Sequence, residues 1–296
     1  TMPIADAIPI VRRIVAQDNT AFLDGAENRH GILRRVDNGA AAKHLNIVLV
    51  IEETYGSVFV DSLDNQLGVS ISPDLNRLAK DGLMFSNIYA SGDRTVRGLE
   101  ATATSFAPIP GIATARRPGA DGMYSLPHLL KQFGYGTAVL YGGNISFDNM
   151  GRFWEGIGFE RVWGESDIRH DSFSTIWGVS DEDLFTEALR RMDEETAKDK
   201  PLLLTLMTVS NHRPYKFPES VIKWDHGMGR IQNTARYAQW AFVDFVNRAR
   251  KKPWFADTVF IFVADHGTKV NGAAAVPVHS FRIPLLFLKY RRKGNY

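Results

Sequence analysis

The chain of 296 residues contains no cysteine. Disulfides, zinc–thiolate sites and cysteine nucleophiles are therefore excluded. It has no apolar run near the roughly 18–20 residues that a membrane-spanning helix needs. Its longest runs, 202–209 and 259–264, suit buried strands instead. It has no charge excess either: 35 Lys and Arg face 33 Asp and Glu, a formal +2. Nothing in that balance argues for nucleic acid as a partner. Gly (25) and Pro (13) are at ordinary levels, which leaves no low-complexity reading. What is present is the composition of a globular chain, with 44% hydrophobic and 23% charged residues. The length fits one large or two small domains and is ample for a core. The start, Thr1-Met2-Pro3, lacks a signal-peptide layout and reads as a point behind which upstream sequence has been removed.

Along the chain, strand and helix signals alternate. Residues 46–51 are a short β-branched apolar run, the mark of a buried parallel strand. Ser72-Pro73 opens a helix to about Asp81, with Ser as N-cap and Pro at the first helical position. A short strand is predicted over 84–88, a helix over 95–105, a helix over 126–133 closed by Gly134, and a strand over 137–141. Ser180-Asp-Glu-Asp183 resembles a capping box and starts a helix to about Lys198. A strand over 202–209, a long one-faced helix over 231–251 and a strand over 259–264 complete the pattern. This order predicts an α/β fold, a mostly parallel sheet with helices on both faces. Residues 1–45 lack a strand signal and are expected to form a helical extension or linker ahead of one α/β domain over 46–296.

In such a sheet, ligands bind beyond the carboxyl ends of the strands. Glu52-Glu53-Thr54 follows the first strand, Gly142-Gly143-Asn144 follows 137–141, Ser210-Asn211-His212-Arg213 follows 202–209, and Asp265-His266-Gly267 follows 259–264. A strand-end Asp also serves as a cap, and a lone His as a satisfied structural group. The repetition of such ends in one chain favours a convergent oxygen and nitrogen site for Mn²⁺, Mg²⁺ or Zn²⁺. Thr95 sits where a loop enters a helix, a position that attracts anions. A metal would make its hydroxyl a competent nucleophile, and Arg94 and Arg97 would neutralise a phosphate. The alternative is an ordinary N-cap flanked by surface arginines.

The blocks Asn46-Ile-Val-Leu-Val-Ile-Glu-Glu53-Thr54, Ser72-Pro-Asp-Leu-Asn-Arg-Leu-Ala79, Arg94-Thr-Val-Arg-Gly-Leu-Glu100, Trp177-Gly-Val-Ser-Asp181, Ser210-Asn-His-Arg-Pro214 and Ala264-Asp-His-Gly267 occur in this order. Together they resemble the extracytoplasmic catalytic domain of the lipoteichoic acid synthase-like branch of the sulfatase/alkaline phosphatase superfamily, over about residues 46–288. The resemblance implies a metal-dependent phosphotransferase. Glu53, Thr95, Asp265 and His266 match the ligands of one divalent ion, Mn²⁺ before Mg²⁺ or Zn²⁺. Thr95 matches the residue that is covalently modified. His212 matches a head-group residue, and Trp177 a residue lining the same pocket. Members take phosphoglycerol from phosphatidylglycerol to a glycan or a polyglycerolphosphate chain, on the periplasmic face of a membrane in which helices absent from this sequence anchor them.

Three departures stand beside the resemblance. Sulfatases use a Cys or Ser in a Pro/Arg motif that is absent around Thr95, so sulfate-ester hydrolysis is not expected. Related phosphoethanolamine transferases typically carry cysteines. The sequence stops soon after Ile283-Pro-Leu-Leu286, where relatives continue, which leaves a domain truncated at that end as an expectation. The block from Arg94 to Glu100 is more like the relatives that decorate periplasmic glucans, so a glucan is the first expected acceptor. Trp154, Trp163, Trp177 and Trp224 offer either sugar-stacking surfaces or core packing. Two other readings remain at this level: a metal-dependent phosphodiesterase with water as acceptor, and a non-catalytic domain that binds lipid or glycan.

Overall fold

In the computed structural model the chain divides into two units, Thr1–His44 and Leu45–Tyr296. Residues 2–23, 25, 31–41, 43–64, 67–268 and 276–290 are described. In the first unit, helix α1 (Ile4–Val15) is followed by strands β1 (Thr20–Phe22) and β2 (Arg34–Val36), which pair antiparallel. Ile4, Ile8, Val11 and Val15 recur at helical spacing in α1. The expectation of a segment without strands needs correcting here. Each of these strands has three residues, too few for a period-2 pattern to register.

The second unit runs β3 (Asn46–Glu52), α2 (Asp61–Asp64), α3 (Pro73–Ala79), β4 (Gly82–Tyr89), α4 (Thr95–Thr104), α5 (Leu126–Lys131), β5 (Gly136–Tyr141), α6 (Met150–Gly156), β6 (Arg161–Trp163), β7 (Ser174–Thr175), β8 (Gly178–Val179), α7 (Asp181–Thr196), β9 (Leu202–Met207), α8 (Arg230–Ala249), β10 (Thr258–Ala264) and β11 (Arg282–Lys289). Seven strands form one sheet in the order β4-β11-β10-β3-β9-β5-β6. The five strands from β10 to β6 are parallel, and β11 is antiparallel to both its neighbours. β9 is buried at every position and β3 at all but one, so helices cover both faces of the sheet centre. This is the α/β architecture that the strand–helix alternation predicts.

Local chemistry explains the starts of two helices. Ser180 Oγ accepts from the Asp183 N–H at 3.0 Å, capping α7 as expected. Ser125 Oγ does the same for α5 from His128 N–H at 3.1 Å. Pro73 takes the first position of α3 as expected, but Ser72 does not cap it. The Ser72 hydroxyl instead accepts from the Asp61 N–H at 3.0 Å, drawn away by the preceding turn. β11 lies outside the predicted strands, because Pro284 interrupts its apolar pattern. The sheet absorbs that proline with a register shift between Ile283 and Leu285 in the pairing with β4.

Candidate active site

Parallel pairing in matched register delivers the strand ends to one edge. Ala264 of β10 lies beside Glu52 of β3, and Met207 of β9 lies beside Ile51 on one side and Tyr141 of β5 on the other. Glu53 and Thr54, Asp265 and His266, and the segment 208–213 therefore emerge together.

Thr95 is the first residue of α4, and Arg94 holds the N-cap position in extended backbone. One turn on, a Cβ at Gly98 would stand 2.2 Å from the Asp265 carbonyl oxygen. Only glycine lets the first turn of α4 rest against the end of β10. That approach brings Thr95 Oγ1 to Glu53, where it donates to Oε2 at 3.0 Å.

Asp265 Oδ1 accepts from the backbone N–H groups of Thr54 (2.8 Å) and His266 (2.7 Å). Its Oδ2 is buried and has no hydrogen-bond partner among the described residues. His266 Nε2 lies 3.6 Å from that oxygen and 3.8 Å from Glu53 Oε1. On the other side of the ring, Nδ1 lies 2.8 Å from the Gly267 carbonyl oxygen. A carbonyl only accepts, so Nδ1 carries a proton there and Nε2 is the ring atom left to face the carboxylates. One atom from each of Glu53, Asp265 and His266 thus falls within 4.8 Å of the others. Burial, and next the Glu53 carboxylate, push the Asp265 carboxyl well above the usual range. An orphaned buried oxygen, a facing imidazole nitrogen and a second carboxylate fit a divalent cation. The donor set is oxygen and nitrogen only, which suits Mn²⁺, Mg²⁺ or Zn²⁺.

A cavity of about 610 Å³ opens from this cluster. Arg94, Trp177 and His212 line it along with Glu53, Thr95 and His266. The Trp177 and His212 rings meet with centroids 3.8 Å apart, and Trp177 Nε1 donates to the Arg213 carbonyl at 2.5 Å. A Cβ at Gly178 would stand 2.0 Å from the Gly142 carbonyl oxygen, so glycine lets the β7–β8 hairpin carry Trp177 against the end of β5. Arg97 is placed otherwise than the sequence suggested. Its guanidinium pairs with the fully buried Glu100 at 3.2 Å and donates to the Gly111 carbonyl at 2.6 Å, and it is not part of the cavity wall. It points along the flank of α4 because it lies two positions beyond Thr95, on another side of the helix.

Sequence reading missed several wall residues. Tyr141, the last residue of β5, lines the cavity, and burial with the Glu53 and Glu165 carboxylates pushes its phenol up. Its place at a strand end was the available signal. Phe147 packs edge-on to Trp177 at 5.6 Å, on a turn with no motif of its own. Behind the site lies a second acidic pair. Glu52 is fully buried, accepts from Thr208 Oγ1 at 3.0 Å and is pushed well up by burial and Asp181. Asp181 accepts from the Ser210 N–H at 3.1 Å, and burial pushes its carboxyl to about 6. It pins the start of α7 to the end of β9 and so fixes the base of the His212 loop. Of the four tryptophans, Trp154 is fully buried in the core, Trp163 lies under Arg191, and Trp224 stacks on Phe217.

The α/β fold is that of the alkaline phosphatase superfamily. The chain belongs to the sulfatase family, whose model matches residues 45–291. It is 24% identical over 283 residues to phosphoglycerol transferase I of Salmonella typhi, covering 90% of this chain and 37% of the relative. The chain thus spans little more than a third of the length of the curated relatives it matches. Among solved structures, a protein of the alkaline phosphatase superfamily from Vibrio parahaemolyticus superposes with a TM-score of 0.87 at 34% identity, over 98% of this chain and 69% of that one. The lipoteichoic acid synthase LtaP from Listeria monocytogenes gives 0.74 at 21% identity, over 86% and 67%. The resemblance read from the ordered sequence blocks is borne out at the level of family and fold.

Proposed function

We propose that this domain is a metal-dependent phosphoglycerol transferase with Thr95 as its nucleophile. The observation that carries the reading is the contact of Thr95 Oγ1 with Glu53 Oε2, 3.0 Å long, beside the orphaned Asp265 Oδ2. Glu53, Asp265 and His266, with the Thr95 oxygen, would hold one divalent ion, Mn²⁺ first. When bound, that ion favours the Thr95 alkoxide and offsets charge on a phosphoryl oxygen. The names of the relatives supply the transferred group, and the cavity supplies room for a phosphodiester head group.

The residues then divide the work. Glu53 accepts the Thr95 proton along the existing hydrogen bond. The α4 amino end and Arg94 attract the phosphate to the nucleophile. Thr95 Oγ1 bonds to phosphorus as the bond from phosphorus to the diacylglycerol oxygen breaks, leaving phosphoglycerol on Thr95. His212 donates a proton to the departing oxygen, and Trp177 holds the His212 ring against the cavity wall. A hydroxyl of a glycan, a periplasmic glucan first, or of a glycerolphosphate chain then gives its proton to His212 and bonds to phosphorus as the bond from phosphorus to Thr95 Oγ1 breaks, and Glu53 returns its proton to Thr95. The donor is a phosphatidylglycerol-type lipid, and the likeness to periplasmic domains of phosphoethanolamine transferases supports a place on the extracytoplasmic, periplasmic side of a bacterial membrane. No described helix is long and apolar enough to cross that membrane.

The test is release of diacylglycerol from phosphatidylglycerol with Mn²⁺, with chelator, and with Thr95→Ala, read together with intact mass. Turnover is expected to need the ion and to fall by at least about 10³-fold in the variant, the scale of a lost nucleophile. An added phosphoglycerol mass should appear on wild-type protein alone. Turnover by Thr95→Ala at the wild-type rate overturns the assignment, and product formed only with water as acceptor makes the domain a phosphodiesterase.

A further inference from the structure

Thr54 has a backbone conformation that its side chain disfavours. Its φ is 49°, in the left-handed region that β-branched residues avoid. Three hydrogen bonds hold it there. Its N–H donates to Asp265 Oδ1 at 2.8 Å, and its carbonyl accepts from Asn211 Nδ2 at 3.0 Å and from Thr268 Oγ1 at 3.4 Å. Asn211 is fully buried and also donates to the Glu53 carbonyl at 3.2 Å. The turn is thus tied to the ends of β9 and β10 at once. Strain of this kind persists only where the surrounding structure over-determines it, and it collects at functional positions.

The consequence is the direction of one hydroxyl. Thr54 Oγ1 donates to Glu53 Oε1 at 2.5 Å and faces His266 Nε2 at 3.5 Å. Thr95 Oγ1 occupies the other oxygen of the same carboxylate. Glu53 is therefore gripped on both oxygens by threonine hydroxyls, one on a fixed turn and one on the proposed nucleophile. A glutamate has three rotatable side-chain bonds, and holding it costs entropy that a free side chain would lose only on binding an ion. Glycine at position 54 would relieve the strain, so a threonine there needs a reason beyond the fold.

We propose that Thr54 is a positioning residue: its strained turn aims a hydroxyl that fixes the Glu53 carboxylate for the cation and for Thr95. The inference rests on the cation site proposed above.

The experiment titrates MnCl₂ into the chelator-stripped full chain by calorimetry and melts the metal-free protein, for wild type, Thr54→Gly and Thr54→Ser. Thr54→Gly should raise the metal-free Tm by about 2 °C, because the left-handed residue is relieved. The same variant should weaken Mn²⁺ binding by about 10- to 100-fold, the usual effect of losing a partner that orients a metal ligand. Thr54→Ser keeps the hydroxyl and should stay within about threefold of wild type, far inside that loss. A merely structural threonine predicts no such split between stability and affinity, and no rescue by serine. Wild-type affinity in Thr54→Gly, or Thr54→Ser as weak as Thr54→Gly, overturns the inference alone. A lower Tm for Thr54→Gly overturns the strain argument. No Mn²⁺ binding by wild-type protein overturns the cation site and this inference together.

Discussion

Arg94 and Arg97 look alike in the sequence, two guanidiniums flanking one threonine. Three residues apart at the start of α4, they meet different surroundings. Arg94 lines the cavity, whereas Arg97 neutralises Glu100, whose side chain is entirely buried and also accepts from the Ala115 N–H at 3.2 Å. Removing one partner of a buried pair leaves an uncompensated charge, which typically costs about 3–5 kcal/mol. Arg97 keeps a little exposure, so Arg97→Ala is expected to lose about 3 kcal/mol in urea unfolding. Affinity for a phosphodiester analogue, measured on the fraction that stays folded, should be unchanged. A variant of normal stability with weakened phosphate binding would restore Arg97 to the substrate site.

At the scale of elements, the site is a meeting of α4 with the ends of β3 and β10. Both strands were legible as short apolar runs, and α4 as a helix starting at Thr95. Their contact was not, because it depends on Gly98, whose role appears only where the helix touches the Asp265 carbonyl. A methyl group there has to push the helix off the strand end. Gly98→Ala is expected to lower stability by about 2 kcal/mol, within the range for overpacking. It should also lower turnover more than tenfold by moving Thr95 away from Glu53, since small misplacements of reacting groups have effects of that size. Urea melts and a rate assay on one preparation check both. A stable, fully active Gly98→Ala would mean that α4 tolerates a shift and that the geometry of Thr95 is looser than the contact implies.

Over the whole molecule, the buried acids behind the site give the fold a pH dependence. Asp181 has an ordinary value of 3.8 and is raised by burial to about 6. Between these two values the unfolded chain has released the proton and the folded chain still holds it. The folded state binds more protons there, so stability contributed by this group falls as pH rises through the window and is level above it. Glu52, likewise pushed well up by burial and next by Asp181, adds a dependence of the same sign. Asp181→Asn retains an oxygen for the Val209 and Ser210 N–H groups that Asp181 Oδ1 now serves. The difference between wild type and variant should therefore change with pH across the window and level off above it. Urea midpoints of both proteins with chelator present read this directly. A constant difference across the window would show that the folded carboxyl titrates where the unfolded one does, and that burial does not raise it.

The sequence by itself determined the alternating architecture, because β-branched apolar runs and one-faced helices declare themselves within ten or twenty residues. It also determined which side chains stand at the strand ends, and through the ordered blocks it determined the family. Only the tertiary structure decided which of these meet. Thr95 reaches Glu53 across 42 positions and Thr54 reaches Asp265 across 211, through parallel register and one close glycine contact. It separated Arg94 from Arg97, buried Glu52 behind the site, and set Thr54 in a strained turn. β11 and the two short strands near the start were settled there too, since a proline and a three-residue length erase the local pattern while pairing restores the strand. Periodicity is a property of neighbours along the chain. A metal site and a nucleophile are properties of neighbours in space, and those are fixed only when the sheet closes around them.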